Sequence, residues 1–480
     1  MMASEKKILS YGLHWFRRDL RINGNGALKR NIERNDGRVL GIFFFDSKFL
    51  SRPDFSHHRF AFFIDTLISL KQDLLAHGGD LLVLDHGPDQ GFKEIIKALT
   101  QATGSAPSLV TYNRDYEPFA RERDLRIQTL LEKHHSIEVF NERDHLILEP
   151  NEIEKDESGG YYQVYSPFAR RWFEKLKTND IQSRIQEAHQ PLPKMKLQWN
   201  GLLKGKELEL DCLKKFQSEN MKKVTIPIPK AGVLAAQKCL AAFKQKVEDY
   251  KERRDIPSEK GTSQISIFLK NGSLTTAQVI QTLKLEHIDG LGKTGPSQYV
   301  KELAWREFYY HILWHCPRVE TEAFLTKYNS IEWENRKDFF EAWKEGKTGY
   351  PIVDAGMRQL KQTGWMHNRV RMIVASFLTK DLLIDWKWGE KYFMEQLLDG
   401  DLAPNNGGWQ WAASTGCDPQ PYFRVFNPML QSKKFDPDGA YIKRWLPERA
   451  KQSGESLHEP IDPIVDHDER RKMAIALYKI

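Results

Sequence analysis

Ile8-Leu-Ser-Tyr-Gly-Leu-His-Trp-Phe16, followed at once by Arg17-Arg18-Asp19, decides how the first third of this chain is read. A charge-free, largely apolar run that ends abruptly in a charged turn is the pattern of a strand buried on both faces. Similar runs recur at residues 39–45, 81–84 and 108–112, with helical patterns between them, as at 60–77 and 92–101. Strand alternating with helix predicts an α/β domain, a doubly wound parallel sheet, over residues 1–140. Such sheets take ligands beyond the carboxyl ends of the strands, where strand order reverses.

From 141 to 230 the pattern loosens. An acidic stretch at 152–160 ends in Gly-Gly, and Pro191, Pro193, Pro227 and Pro229 punctuate the rest. This reads as a long connector packed on the surface, with short helices. From 231 to 480 helices dominate, giving a second, all-helical domain. In the helix expected over 301–316, Glu302, Trp305, Arg306 and Tyr309 share a face by their i, i+3, i+4, i+7 spacing. In one expected over 366–383, Asn368, Arg371, Met372 and Ala375 do the same. Asp399-Gly-Asp-Leu-Ala-Pro-Asn-Asn-Gly-Gly-Trp-Gln-Trp411 reads as a glycine-rich loop crowded with hydrogen-bonding groups and indoles. Residues 259–266, hydroxyl-bearing after Gly261 and ahead of a helix, suit either a phosphate or a plain N-cap.

Composition narrows the class. The 480 residues carry a formal charge of +7 and a mean hydropathy of −0.58. The charge suits a polyanionic partner without specifying one. No apolar run approaches bilayer length, and residues 1–10 lack a secretory leader, so a cytoplasmic protein with no membrane partner is expected. Four scattered cysteines form no C-x-x-C pair, so neither a disulfide framework nor a metal site is expected. Ten of the 13 tryptophans fall in the second half, which points to the helical domain as the place where chemistry sits.

Trp305-Arg-Glu-Phe-Tyr309, Gly346-Lys-Thr-Gly-Tyr-Pro-Ile-Val-Asp-Ala-Gly-Met-Arg358, Gly364-Trp-Met-His-Asn-Arg-Val-Arg-Met372 and Asn405-Asn-Gly-Gly-Trp-Gln-Trp-Ala-Ala-Ser-Thr-Gly416 closely resemble the photolyase/cryptochrome family. Trp15-Phe-Arg-Arg-Asp-Leu-Arg21 resembles its opening strand and turn. The likeness covers nearly the whole chain and is nearest to class I cyclobutane pyrimidine dimer photolyases. Asn405 stands where plant and insect cryptochromes carry Asp or Cys, Asn368 and Met372 where (6-4) photolyases carry histidines, and Met372 and Trp411 where the DASH group carries Gln and Tyr. The resemblance implies an α/β antenna domain joined to a helical FAD-binding domain, probing damaged DNA as a monomer. It also implies light-driven electron transfer from reduced FAD to a dimer flipped out of the duplex, a lyase reaction with no net redox change.

What the resemblance implies for individual residues is specific. The flavin would be held by Tyr250, Thr262, Ser263, Gln264, Ile265, Ser266, Tyr299, Arg306, Arg371, Asp399, Gly400, Asp401 and Asn405, with Asn405 facing the reactive ring nitrogen. Here Gln264-Ile-Ser-Ile267 replaces the family's usual Arg-Leu-Ser-Pro. Catalysis at the lesion would rest on Glu302, Trp305, Arg369, Met372 and Asn405. DNA contacts would come from Arg254, Glu302, Trp305, Asn368, Arg369, Trp411, Arg424, Gln431 and Lys434. Trp333, Trp386 and Trp409 match the family's electron relay. A second antenna chromophore, deazaflavin or methenyltetrahydrofolate, is left unassigned, because Phe119-Ala120 and Glu320-Thr321 stand where folate-using relatives place an Asn-Glu and a Cys-Lys pair. The rival reading is a flavin-based blue-light receptor. A nicotinamide-linked oxidoreductase is disfavoured, since Gly24-Asn-Gly26 is no G-x-G-x-x-G.

Overall fold

The computed structural model describes residues 10–155, 160–199, 212–288, 290 and 292–479. Five parallel strands form one sheet: β1 (Gly12–Trp15), β2 (Val39–Phe44), β3 (Leu81–Leu84), β4 (Leu109–Asn113) and β5 (Glu138–Glu142), in the order β3-β2-β1-β4-β5. Parallel neighbours require crossovers, supplied by helices such as Gly26–Arg34, His57–Ala76, Pro88–Thr103 and Pro118–Thr129. Every residue of β1 to β4 is buried, which is why those strands read as unbroken apolar runs. The edge strand β5, Glu-Val-Phe-Asn-Glu, is half-exposed and carries no such signal. It runs two residues past 140.

Strand order reverses between β1 and β4, and a buried polar network fills the space behind that point. Asp19 accepts from the side-chain amides of Asn25 (3.1 Å) and Asn113 (2.7 Å) and faces His14 (3.2 Å). Burial works against the Asp19 charge, but His14 and Arg17 hold its carboxyl well below the usual range.

The stretch expected to be a surface connector is instead part of the core. Its helices Tyr165–Leu176 and Asn179–Gln186 place Phe168, Trp172, Ile181 and Ile185 in the same apolar cluster as the long helix Gly295–His315. Glu307 of that helix is almost fully buried and accepts from the backbone N–H of Ile147 (2.5 Å) and Leu148 (3.2 Å) and from the Trp172 indole (2.7 Å). Burial pushes its carboxyl up to about 7.

Two further expectations are corrected. The helix expected over 366–383 is α-helical only at Asn368–Ser376, loosens to a π-turn at Phe377–Asp381, and ends before Leu383 at φ 51°. The expected loop 399–411 is a tight turn followed by the helix Leu402–Ala412, so Gly407 and Gly408 lie within a helix and make no turn. At Gly407 the reason is contact: a Cβ there would lie 2.0 Å from a ring carbon of Tyr309. Trp386 opens the helix Trp386–Gln396, capped by Asp385.

Helices Trp386–Gln396 and Leu402–Ala412 are pinned together by Glu390, whose carboxyl accepts from Asn406 Nδ2 (2.9 Å) and whose carbonyl accepts from Asn405 Nδ2 (3.0 Å). Among the described residues no helix is long and apolar enough to cross a membrane, and no group of three metal-binding side chains occurs.

Burial, reinforced by Asp54, Glu320 and Asp385, pushes the Glu390 carboxyl up to about 8. An unfolded Glu ionises near 4.3. Between those values the folded chain holds one more proton than the unfolded one, so this stabilisation is complete at low pH and lost as pH rises through about 8. Glu390→Gln should therefore remove a downward slope in stability across that window. Melting curves should find the variant more stable than wild type at pH 8.5, with the gain shrinking toward pH 5.

Candidate functional site

The turn Asp399-Gly400-Asp401 is held from three directions. Asp399 accepts from Arg371 Nη2 (3.0 and 3.1 Å) and from the Ser266 hydroxyl (2.6 Å). Asp401 accepts from Tyr310 Oη (2.7 Å), Lys270 Nζ (3.0 Å) and Arg18 Nη2 (3.0 Å), with Arg306 Nη2 at 3.8 Å. Burial alone would raise the Asp401 carboxyl, but Arg18, Lys270 and Arg306 hold it far below its ordinary range. A Cβ at Gly400 would lie 2.3 Å from Arg59 Nη1, so a side chain there would have to displace that guanidinium. That guanidinium caps the end of Trp386–Gln396 by donating to the carbonyls of Met394 (2.5 Å) and Leu397 (3.1 Å).

Arg18 and Arg59 both come from the α/β domain, one just beyond β1 and the other from helix His57–Ala76. Arg18 also donates to Glu117 (2.7 Å) and to the carbonyl of Lys270 (3.1 Å). The sequence reading assigned no role to Arg18, Arg59, Lys270 or Tyr310. The charged turn directly after a buried strand was the signal available for Arg18.

The residues matched to flavin binding surround this turn. Ser263 accepts from Tyr299 Oη (3.0 Å), and Tyr299 meets Tyr250 edge-on at 5.0 Å. Thr262 is half-buried, Gln264 is exposed at φ 53°, and Ile265 is buried in the core ahead of the short helix Ser266–Asn271. Arg306 leaves the face it shares with Glu302 by spacing. It donates to the carbonyl of His145 (3.1 Å), lies over the Tyr310 ring, and keeps its buried Nη2 without a hydrogen bond. Asn405 spends its Nδ2 on Glu390, which leaves Oδ1 for a partner. A free guanidinium N–H, a serine-lined loop, the Arg371–Asp399 pair and the Asn405 amide form a donor set that fits a flavin dinucleotide.

Several of the residues matched to lesion and DNA contact are linked by a chain of ion pairs. Glu302 accepts from Arg254 and from Gln298 (2.8 Å). Arg254 lies 3.7 Å from Asp255, and Asp255 accepts from Arg369 Nη2 (2.8 Å). Arg369 packs over Phe435 and reaches Met372 Sδ (3.7 Å), beside the exposed Asn368. Trp305 is half-buried against Tyr165, and half-buried Trp411 meets Phe426 at 6.5 Å. Asp255, Gln298 and Tyr165 had no sequence signal of their own. Arg424 is exposed ahead of helix Pro428–Phe435, and within that helix Lys434 is exposed and Gln431 half-buried. Trp386 and Trp409 are buried in the core of the helical domain and Trp333 packs at its edge. Trp409 meets Phe393 at 4.9 Å and Trp343 at 6.1 Å, both edge-to-face.

Comparison with known proteins bears on this arrangement over nearly its full length. Residues 12–194 match the family model for DNA photolyase, and 299–480 match the model for the FAD binding domain of DNA photolyase. The chain is 36% identical to a deoxyribodipyrimidine photo-lyase of Salmonella typhimurium, over 97% of this chain and 98% of that one. It is 38% identical to one of Synechococcus, over 97% and 96%. Among solved structures, a bacterial class III photolyase from Agrobacterium tumefaciens aligns with a TM-score of 0.81 at 32% identity, over 99% of both chains. An archaeal photolyase from Sulfolobus tokodaii with two FAD molecules aligns with a TM-score of 0.79 at 30% identity, over 98% of this chain and 99% of that one. With a parallel-sheet domain, a helical domain whose donor set suits FAD, and relatives alike from end to end, the chain belongs to the DNA photolyase family.

Proposed function

We propose that this protein repairs cyclobutane pyrimidine dimers in DNA with light, using FAD bound around the Asp399–Asp401 turn. The observation that carries this reading is the ion-pair chain Glu302–Arg254–Asp255–Arg369, which joins helices Gly295–His315 and Asn368–Ser376 beside Trp305 and Met372. It offers charge and flat apolar walls together, which a dimer swung out of the duplex requires. When bound, the flavin supplies the electron that light makes available. The residues do the rest. Arg371 and Asp399 orient the ring, Arg306 and the 262–266 loop carry the diphosphate, and Asn405 presents an acceptor at the ring nitrogen.

Glu302 and Arg369 hold opposite charges in place before any charge develops on the lesion, a preorganised electrostatic role. Arg424, Gln431 and Lys434 lie where flanking phosphates would run. Trp409, Trp386 and Trp333 provide indoles from the flavin side of the helical core to its edge, a route for electrons from the surface.

The direct test is blue light on the reduced protein with DNA carrying either a cyclobutane dimer or a (6-4) product. Restoration of the first alone is expected, and turnover of the (6-4) product alone would sink the reading. The absorption spectrum of the same preparation reports the flavin and any second pigment. Glu302→Ala should lower the quantum yield more than lesion affinity; the reverse split would make Glu302 a ground-state contact. Trp386→Phe should nearly abolish flavin photoreduction by an external thiol while sparing repair by chemically reduced protein. Loss of both would mark Trp386 as structural.

A further inference from the structure

Tyr165 lies in the stretch first read as a connector, yet its ring is face-to-face with Trp305, with centroids 3.6 Å apart and planes 7° from parallel. The other rings around Trp305, Phe308 and Tyr309, come from its own helix and meet it at 81° and 37°. Tyr165 is fixed at two points, and the chain just ahead of it at a third. Its hydroxyl donates to the carbonyl of Lys301 (2.9 Å), one turn before Trp305 on the same helix. Its backbone N–H, the first of helix Tyr165–Leu176, donates to Asp418 Oδ2 (3.0 Å). Two residues earlier, the carbonyl of Gln163 accepts from Cys417 Sγ (2.6 Å). Val164, at the N-cap position, provides no side-chain cap, so Asp418 does so from the segment that follows Trp411. Burial raises the Tyr165 phenol, Glu302 and Tyr309 raise it further, and Arg254 works the other way.

We propose that Tyr165 is a positioning residue for lesion recognition, locking Trp305 into one rigid aromatic wall tied through Asp418 to the loop beyond Trp411. This inference rests on the repair reading. An unsupported indole must lose rotamer freedom when a base packs on it, and that cost weakens binding. Stacked on a residue bonded through both its hydroxyl and its backbone N–H, Trp305 is already ordered. An aromatic pair of this kind is worth about 1 kcal/mol, a fivefold change in affinity. Tyr165 meets Trp305, Phe308, Lys301 and Asp418, none of them matched to the flavin, so flavin content and quantum yield at saturating lesion should not move in its variants.

The experiment compares flavin-loaded wild type with Tyr165→Phe, Tyr165→Leu, Tyr165→Ala, Trp305→Ala and the double alanine variant, by fluorescence anisotropy on one oligonucleotide with and without a dimer. Tyr165→Ala and Tyr165→Leu should weaken dimer binding about fivefold with undamaged DNA unchanged. Tyr165→Phe, which keeps the ring, should stay near wild type. The double variant should bind no more weakly than Trp305→Ala, because Tyr165 acts only through the indole. If Tyr165→Leu retains wild-type affinity for the dimer, or if the two alanine effects add in full, the inference is overturned while the repair reading stands. A wild-type protein with no preference for dimer-containing DNA overturns both.

Discussion

Asp401 sits in the interior with its carboxylate ionised, and much of the molecule is arranged around that fact. Moving such a charge out of water costs several kcal/mol unless partners surround it. Here the partners come from both domains: Arg18 from the end of β1, and Lys270, Tyr310 and Arg306 from the helical half. Arg18 has the converse problem, a buried guanidinium, and Asp401 and Glu117 answer it. Neither domain could bury its share alone. The junction therefore fixes where the sheet's switch point lies relative to the helical core.

The same turn carries Asp399, so the junction also sets the bay for the flavin. Arg371, which pairs with Asp399, lies two residues along helix Asn368–Ser376 from Arg369, which pairs with Asp255. One short helix thus holds one arginine at the Asp399 turn and another in the ion-pair chain that ends at Glu302, on the helix that carries Trp305.

Much of this was legible in the sequence because burial leaves a pattern. β2 and β3 were read within one residue of their observed limits because both are wholly buried. The edge strand β5 was missed because none of its residues is fully buried. Arg371 and Asp399 were both matched to flavin binding by motif resemblance, and the structure pairs them. What could not be read was anything set by packing between distant segments. Gly407 and Gly408 looked like a turn, yet Gly407 lies in a helix that Tyr309 approaches closely. Arg306 shares a helical face with Glu302 by spacing, yet its long side chain swings to His145 and Tyr310. Residues 141–230 looked peripheral because prolines and charges dilute them, while Phe168 and Trp172 are wholly buried.

Arg59 carries a consequence for how the chain is made. The last carbonyls of helix Trp386–Gln396 find their donor in a residue more than three hundred positions earlier. Synthesis runs from the amino terminus, so the α/β domain is assembled and waiting before that helix leaves the ribosome. The helix end, and the turn after it, can be completed only by docking onto the finished domain. The first domain therefore acts as a template for the second, and the cofactor bay is among the last features of the molecule to take shape.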